Sequence, residues 1–227
     1  VIGSIYNIVS LFSRGSALAT VAGFFIFFLL NGKKAKIILS ATVALIVLSV
    51  FVPIPDGYEE RIMSAFEPSD ELESSAASRP HFWGVAADVV TEHPAGVGPG
   101  CFREYYNDFD ESMGKYGFNR DVHSSHFQVL ADYGYLGAVV WFSLFVVSYV
   151  KLFRMRSLLI NRPREFDNMS YYLTLVNAII VSQSVFLIGG SFYSLAYTDL
   201  IWFLWGCVII VSKLLQNEMA KVNSSFV

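Results

Sequence analysis

Apolar residues gather in long runs along the chain, and polar segments separate these runs. Five runs predict membrane-spanning helices: Ser16–Leu30, Ile37–Val52, Tyr135–Phe153, Tyr171–Gly190 and Thr198–Leu215. A helix needs ~20 mostly apolar residues to cross the hydrocarbon core. The last three runs have about that length, and the first extends to Ile5–Leu30 if Arg14 lies inside the span. The pattern therefore predicts an all-α polytopic membrane protein with about five transmembrane helices; buried core helices of a soluble protein are the alternative.

Basic residues concentrate in two short connectors between these runs. Asn31–Lys36 carries three lysines and no acid, and Lys151–Glu165 carries five basic residues and one acid. Short loops rich in Lys and Arg stay in the cytoplasm. The predicted topology therefore has its N-terminus outside and its C-terminus inside. Because the chain begins at Val1 without a signal sequence, we expect it to be the C-terminal part of a longer chain.

The longest polar segment, residues 53–134, is predicted to be one large loop outside the membrane. It holds 15 of the 19 acidic residues, 5 of the 16 basic residues and all four histidines. A connector of this length is usually functional or disordered, and the many aromatic residues favour a folded, functional loop. The predicted organisation is two transmembrane helices in residues 1–52, the loop in 53–134, and three transmembrane helices with a cytoplasmic tail in 135–227.

Two amphipathic helices are predicted inside this loop, so the loop is partly helical. The first covers about Pro80–Glu92, with Ser78 as its N-cap and Pro80 in its first turn. The second covers about Ser124–Tyr133 and ends at Gly134. Between them, Pro94–Gly100 is rich in glycine and proline and predicts turns rather than a phosphate-binding loop.

The amino-acid composition argues against several classes of protein. Apolar residues make up 54% of the chain and charged residues only 15%, which argues against a disordered or nucleic-acid-binding protein. The two cysteines, Cys101 and Cys207, have neither the spacing of a disulfide framework nor that of a metal site.

Two arginines are candidate anion-binding residues. Arg14 lies at the outer end of the first span or inside it, where an ionisable group costs ~2.5–3.5 kcal/mol on insertion scales; the alternative is that it reaches up to the lipid headgroups. Arg79 precedes the first loop helix and could bind a phosphate through two hydrogen bonds. The alternative for Arg79 is a solvated side chain, and this alternative is stronger for Arg61, Arg103 and Arg120.

Two histidines, His123 and His126, stand just before the second loop helix. Histidine is the side chain best suited to accept a proton near neutral pH. The pair could also bind zinc, but zinc needs further ligands and no HExxH or CxxC motif supplies them. Ordinary surface histidines are the remaining alternative.

Several of these residues stand in motifs that resemble the O-antigen ligase family, which includes O-antigen polymerases and bacterial protein O-oligosaccharyltransferases. The motifs are Arg79-x3-Trp83, His93-Pro-Ala-Gly-Val-Gly98, and His123 followed by Asp132-Tyr-Gly134-Tyr-Leu-Gly137; Ser13-Arg14-Gly15 matches a further upstream motif. The sequence departs from the family pattern at Ser124, where Asn is usual, and at Asp132, where Glu is usual. His126 stands where the family has an aromatic residue.

The resemblance implies a glycosyltransferase C-like enzyme of the bacterial inner membrane, multi-pass, with its active site facing the periplasm. It implies a glycan donor on undecaprenyl pyrophosphate, membrane lipid around the protein, and no metal, other cofactor or nucleic acid. The acceptor hydroxyl would belong to a glycolipid, a glycan or a protein. Arg14 and Arg79 would bind the substrate pyrophosphate, and His123 would be the catalytic base.

Other functions stay open at this stage. The same superfamily offers an O-antigen or exopolysaccharide polymerase and a protein O-oligosaccharyltransferase. A transporter of lipid-linked glycans is less expected, because transporters place charged sites near the bilayer midplane and the candidate residues here lie mostly in a loop. A non-catalytic membrane anchor with a degenerate site is the third class.

Overall fold

The computed structural model describes residues 14–31, 73–163, 166 and 168–224, and these residues form helices and no strand. The helices are α1 (Arg14–Leu30), α2 (Glu73–Glu92), α3 (Phe102–Phe109), α4 (Ser125–Asn161), α5 (Met169–Gly189) and α6 (Asp199–Ser224). The predicted all-α polytopic membrane fold is confirmed.

Three helices of the described part are long and apolar enough to cross a membrane: α4, α5 and, over Asp199–Lys221, α6. They coincide with the last three predicted spans. The apolar part of α1, Leu18–Leu30, is shorter than a span. The predicted span Ile37–Val52 and the residues before Arg14 lie outside the described residues.

Helix α4 joins the predicted extramembrane loop to the first of the three helices long enough to span a membrane. Its 37 residues would extend about 55 Å at 1.5 Å per residue, well beyond the ~30 Å hydrocarbon core. The helix breaks at Gly134, whose φ of 66° lies in the left-handed region. The backbone N–H of Tyr135 then donates to the carbonyl oxygen of Pro94 at 3.1 Å. The predicted end of the loop helix at Gly134 is therefore confirmed.

The two ends of the helical bundle are tied by different contacts. At one end, the Arg156 guanidinium donates to the Leu30 carbonyl oxygen at 2.9 Å and to Asn177 Oδ1 at 3.2 Å. At the other end, the Ser125 backbone N–H donates to the Gly190 carbonyl oxygen at 2.6 Å. The end of α1, after which the lysine-rich connector begins, thus lies beside the arginine-rich end of α4.

The extramembrane part has its own apolar core between α2 and α3. On α2, the buried residues Phe82, Val85 and Val89 recur at helical spacing, so they form one face. This face packs against Phe102 and Tyr106, which lie one turn apart on α3. Sequence analysis did not predict α3, because its apolar residues are embedded in the charged segment FREYYNDF.

The predicted start of α2 is wrong. The helix begins at Glu73, so Ser78 lies inside it rather than capping it, and Pro80 is an internal residue. Proline removes one helical hydrogen-bond donor and favours a helix start at its own position. Here the helix nevertheless continues back through Ala76 and Ala77, residues of the type with the highest helix propensity.

Candidate active site

A cleft of about 250 Å³ opens between α2 and the segment that connects α3 to α4. It combines three cationic side chains, one histidine and a partly aromatic wall. The lining residues are Ser78, Arg79, Phe82, Lys115, Tyr116, Arg120 and His123. Two of the three residues selected from the sequence, Arg79 and His123, thus line the same cleft although they are 44 positions apart in the sequence.

Arg79 is half-buried and lies over an aromatic side chain from the α5–α6 connection. Its guanidinium carbon is 5.6 Å from the centre of the Phe192 ring. An aromatic face attracts a guanidinium without using its N–H donors. Phe192 therefore holds Arg79 in place, and within the described residues the guanidinium makes no hydrogen bond that would compete with an anion.

His123 occupies a strained backbone position at the side of this cleft. Its φ of 50° lies in the left-handed region, which is uncommon for residues other than glycine. Its ring centre is 5.6 Å from that of Phe82. Strained residues of this kind persist only where the surrounding structure holds them, and they cluster at functional sites.

The environment of His123 favours the neutral form of its ring. Burial lowers the pKa of His123 below its ordinary value; the Asp121 carboxylate opposes this shift, and Arg120, Arg79 and Arg103 add to it. At neutral pH the imidazole is then uncharged and has a lone pair available. This is the state that a general base needs.

The start of α1 lies beside the same aromatic residue as Arg79. A Cβ atom on Gly15 would come within 2.9 Å of the Phe192 Cβ atom, so the helix approaches closely there. Ser16 Oγ and the Tyr193 hydroxyl are 3.1 Å apart. Arg14 is the first residue of α1, but its side chain lies outside the described part. The structure therefore places the start of α1, where Arg14 stands, next to Phe192, which supports Arg79.

His126 has a different environment from His123. The Trp141 indole N–H donates to His126 Nδ1 at 3.1 Å, so Nε2 carries the proton and donates to the Leu187 carbonyl oxygen at 2.9 Å. Both ring nitrogens are thus engaged inside the protein. Neither is free to bind zinc or a substrate, which weakens the zinc alternative. The aromatic position is here filled by a hydrogen-bonded ring that links α4 to α5.

The glycine-rich segment forms turns, as predicted, and packs against the end of the loop helix. Gly98 N–H donates to the Asp132 carbonyl oxygen at 3.0 Å, and Gly100 N–H donates to Asp132 Oδ2 at 3.1 Å. The same carboxylate oxygen accepts the Tyr197 hydroxyl at 2.6 Å. A Cβ on Gly134 would overlap the Pro94 carbonyl oxygen. Asp132 therefore connects the turns, the α4 helix and the α5–α6 connection.

Sequence analysis assigned no site role to four residues of this region. Lys115, Tyr116 and Arg120 line the cleft, and Phe192 supports Arg79. Arg120 offered one signal, since it stands three residues before His123 in a short segment. Phe192 offered none, because its contact with Arg79 joins residues far apart in sequence.

One protein-family model matches the chain over more than half of its length. The family model described as O-antigen ligase matches residues 1–142. The chain belongs to the O-antigen ligase family. The resemblance noted in the sequence motifs is therefore confirmed, and the matched region of this family member contains Arg14, Arg79 and His123. Neither the comparison with curated proteins nor that with solved structures gave a match.

Family membership supports a membrane enzyme of the glycosyltransferase type that acts on glycan and lipid-linked substrates. The α5–α6 connection, which supplies Phe192, lies beyond the residues that the O-antigen ligase model matches. The residues that line the cleft thus lie within the matched region, and Phe192, which supports Arg79, lies after it in the chain.

Proposed function

We propose that the protein is a metal-independent glycosyltransferase that moves a glycan from undecaprenyl pyrophosphate to an acceptor hydroxyl at the periplasmic face of the inner membrane. The observation that carries this proposal is the cleft in which a neutral His123 and the supported Arg79 lie together. A base and a cation are the two groups that such a transfer needs. Membership of the O-antigen ligase family favours this donor class.

In the proposed reaction, His123 accepts the proton of the acceptor hydroxyl. The acceptor oxygen forms a bond to the anomeric carbon of the donor glycan, and the bond from that carbon to the pyrophosphate oxygen breaks. Negative charge builds on the departing pyrophosphate. Arg79, together with Arg14 at the start of α1, stabilises this charge through charge-assisted hydrogen bonds.

Metal independence is part of the proposal because the resemblance to O-antigen ligases implies it. We expect a chelator to leave the rate of transfer unchanged. A rate that falls with chelator and returns with a divalent cation would contradict this part of the proposal.

The sidedness of the site follows from the basic connectors. The contact between Arg156 and the end of α1 supports placing both connectors at one end of the bundle, opposite the cleft. Positive residues retain short loops in the cytoplasm, so the cleft would face the periplasm. In a variant without Cys101 and Cys207, Met113→Cys should react with a membrane-impermeant thiol reagent in intact spheroplasts. Arg154→Cys should react only after lysis, and the reverse pattern would overturn the topology.

The decisive experiment supplies the purified full-length protein with undecaprenyl pyrophosphate-linked glycan and, separately, lipid A core, a glycan or a protein as acceptor. We expect release of undecaprenyl pyrophosphate together with one glycosylated acceptor. The acceptor that is modified distinguishes a ligase from a polymerase or a protein O-oligosaccharyltransferase. Movement of intact donor across vesicles without cleavage would instead indicate a transporter.

A further inference from the structure

Two cations besides Arg79 stand in the cleft, and the lining contains no carboxylate. Lys115 and Arg120 both line the cleft, although they belong to the strongly acidic loop of residues 53–134. The nearby Arg103 pairs with Asp121 at 3.0 Å between Nη2 and Oδ2. Arg120 is the sequence neighbour of Asp121, yet it makes no ion pair within the described residues. Among the described residues, the three cations of the cleft therefore have no ion-pair partner, whereas Arg103 has one.

Among the residues that the structure describes, the side chain of Arg120 makes packing contacts and no hydrogen bond. Its guanidinium carbon is 5.7 Å from the centre of the buried Phe82 ring, which also contacts the His123 ring. A Cβ on Gly117 would lie 3.3 Å from Arg120 Cδ, so the preceding turn rests against the Arg120 stem. The Arg120 guanidinium and the His123 ring therefore share Phe82 as an aromatic neighbour, and the guanidinium makes no hydrogen bond to the residues that the structure describes.

The turn that carries Lys115 is fixed by one carboxylate. Asp110 accepts hydrogen bonds from the backbone N–H groups of Ser112 at 2.9 Å and Gly114 at 3.0 Å. It also interacts with His81 Nε2 at 2.8 Å, which links the turn to α2. This side of the cleft is consequently an ordered part of the fold, and Lys115 projects from a defined position.

We propose that Arg120 and Lys115, together with Arg79, bind the pyrophosphate of the donor; this role rests on the function proposed above. A pyrophosphate carries several negative charges and more acceptor oxygens than one guanidinium can satisfy. Three cations around one cleft match that demand. Arg120, beside the base, would stabilise the leaving group close to the point where the bond breaks.

The test measures equilibrium binding of inorganic pyrophosphate to the full-length protein, so it does not depend on transfer. Arg120→Gln should weaken binding by roughly tenfold or more, as expected for the loss of a charge-assisted hydrogen bond. Lys115→Gln should have a smaller effect, because a lysine binds as a single flexible charge. Arg103→Gln is the matched control, since it removes another exposed arginine that does not line the cleft, and it should bind like wild type.

The outcomes separate this inference from the proposed function. Equal binding by wild type and Arg120→Gln, or equal weakening by Arg103→Gln, would overturn the role of Arg120. If Arg120→Gln binds weakly but wild type transfers no glycan to any acceptor, the anion site stands and the proposed function fails. If wild type transfers glycan and Arg120→Gln binds normally, the function stands and the inference fails.

Discussion

Two polar regions flank the start of α4, and they differ in how their side chains are satisfied. In the cleft, Arg79 and Arg120 lie on aromatic faces and His123 occupies a strained backbone position. In the region that we term the α4 junction, defined by His126 and Asp132 with their partners, hydrogen bonds within the protein engage the His126 ring and one of the two Asp132 carboxylate oxygens. His126 uses both ring nitrogens, and Asp132 Oδ2 accepts two donors.

This difference distinguishes polar residues that stabilise the fold from polar residues that are available to a ligand. Hydrogen-bonding capacity that is used inside the protein stabilises the fold. Capacity that is held in place by packing, and left available, is suited to a substrate. The two histidines, three residues apart in sequence, fall on opposite sides of this division. The predictions below test that division, beginning with the largest expected effect.

Removal of the base should have the largest effect. We expect His123→Asn to lower the rate of transfer by roughly 10²–10⁴-fold, the usual contribution of a positioned general base. Asparagine tolerates positive φ, so the variant should fold like wild type, whereas His123→Ala would add backbone strain. Single-turnover transfer with matched thermal unfolding measures both effects. A folded His123→Asn enzyme with the wild-type rate would show that the motif has been misassigned.

Loss of an arginine from the anion site should come next. Arg79→Gln should lower the rate by roughly 10²–10³-fold, the cost of one lost charge-stabilising donor. Arg79→Lys and Arg14→Lys should also fail, because an ammonium does not reproduce a bidentate contact. Arg103→Gln serves as the control and should keep the wild-type rate. Near-normal transfer by Arg14→Lys would instead indicate that Arg14 only reaches toward the lipid headgroups.

Breaking the α4 junction should affect stability more than rate. His126→Phe leaves the Trp141 indole N–H without its acceptor, and we expect a loss of about 1–3 kcal/mol in the free energy of unfolding. The additional change Trp141→Phe should recover part of that loss, since it removes the unsatisfied donor. Transfer by the folded protein should stay within a few-fold of wild type. A loss of rate as large as that of His123→Asn, without unfolding, would give His126 a catalytic role.

The smallest expected effect is a displacement of the pH profile. Burial and the neighbouring guanidinium groups lower the pKa of His123, so the rate should fall only below pH ~6.5, the ordinary value for histidine. Arg120→Gln removes a charge that opposes the protonation of His123 and should move this acidic fall in rate to higher pH. Asp121→Asn removes a charge that favours protonation and should move it to lower pH. Shifts in the opposite directions would contradict the proposed position of His123.

Local signals predicted much of the fold. The apolar runs located α4, α5 and α6, and the amphipathic pattern before Gly134 located the loop helix with its end. These features depend on residues close together in sequence. The start of α2 was misplaced because Pro80 is a strong local signal that the structure overrides. Helix α3 was missed because its buried face consists of two aromatic residues amid charged ones.

The candidate site was predictable only in part. Motif order selected Arg14, Arg79 and His123, and the structure brings the latter two to one cleft. Sequence analysis treated Arg120 and Arg103 alike, because both are arginines in an acidic segment. Only the three-dimensional structure shows that Arg103 has a carboxylate partner while Arg120 lies on Phe82.

The pH dependence of single-turnover transfer, compared between wild type, His123→Asn and His126→Phe, tests the central claim most directly. We predict an acidic limb below pH ~6.5 in wild type. The same limb should persist in His126→Phe and be absent from the slow residual reaction of His123→Asn. A limb that persists in His123→Asn, or that disappears only in His126→Phe, would contradict the assignment of His123 as the base.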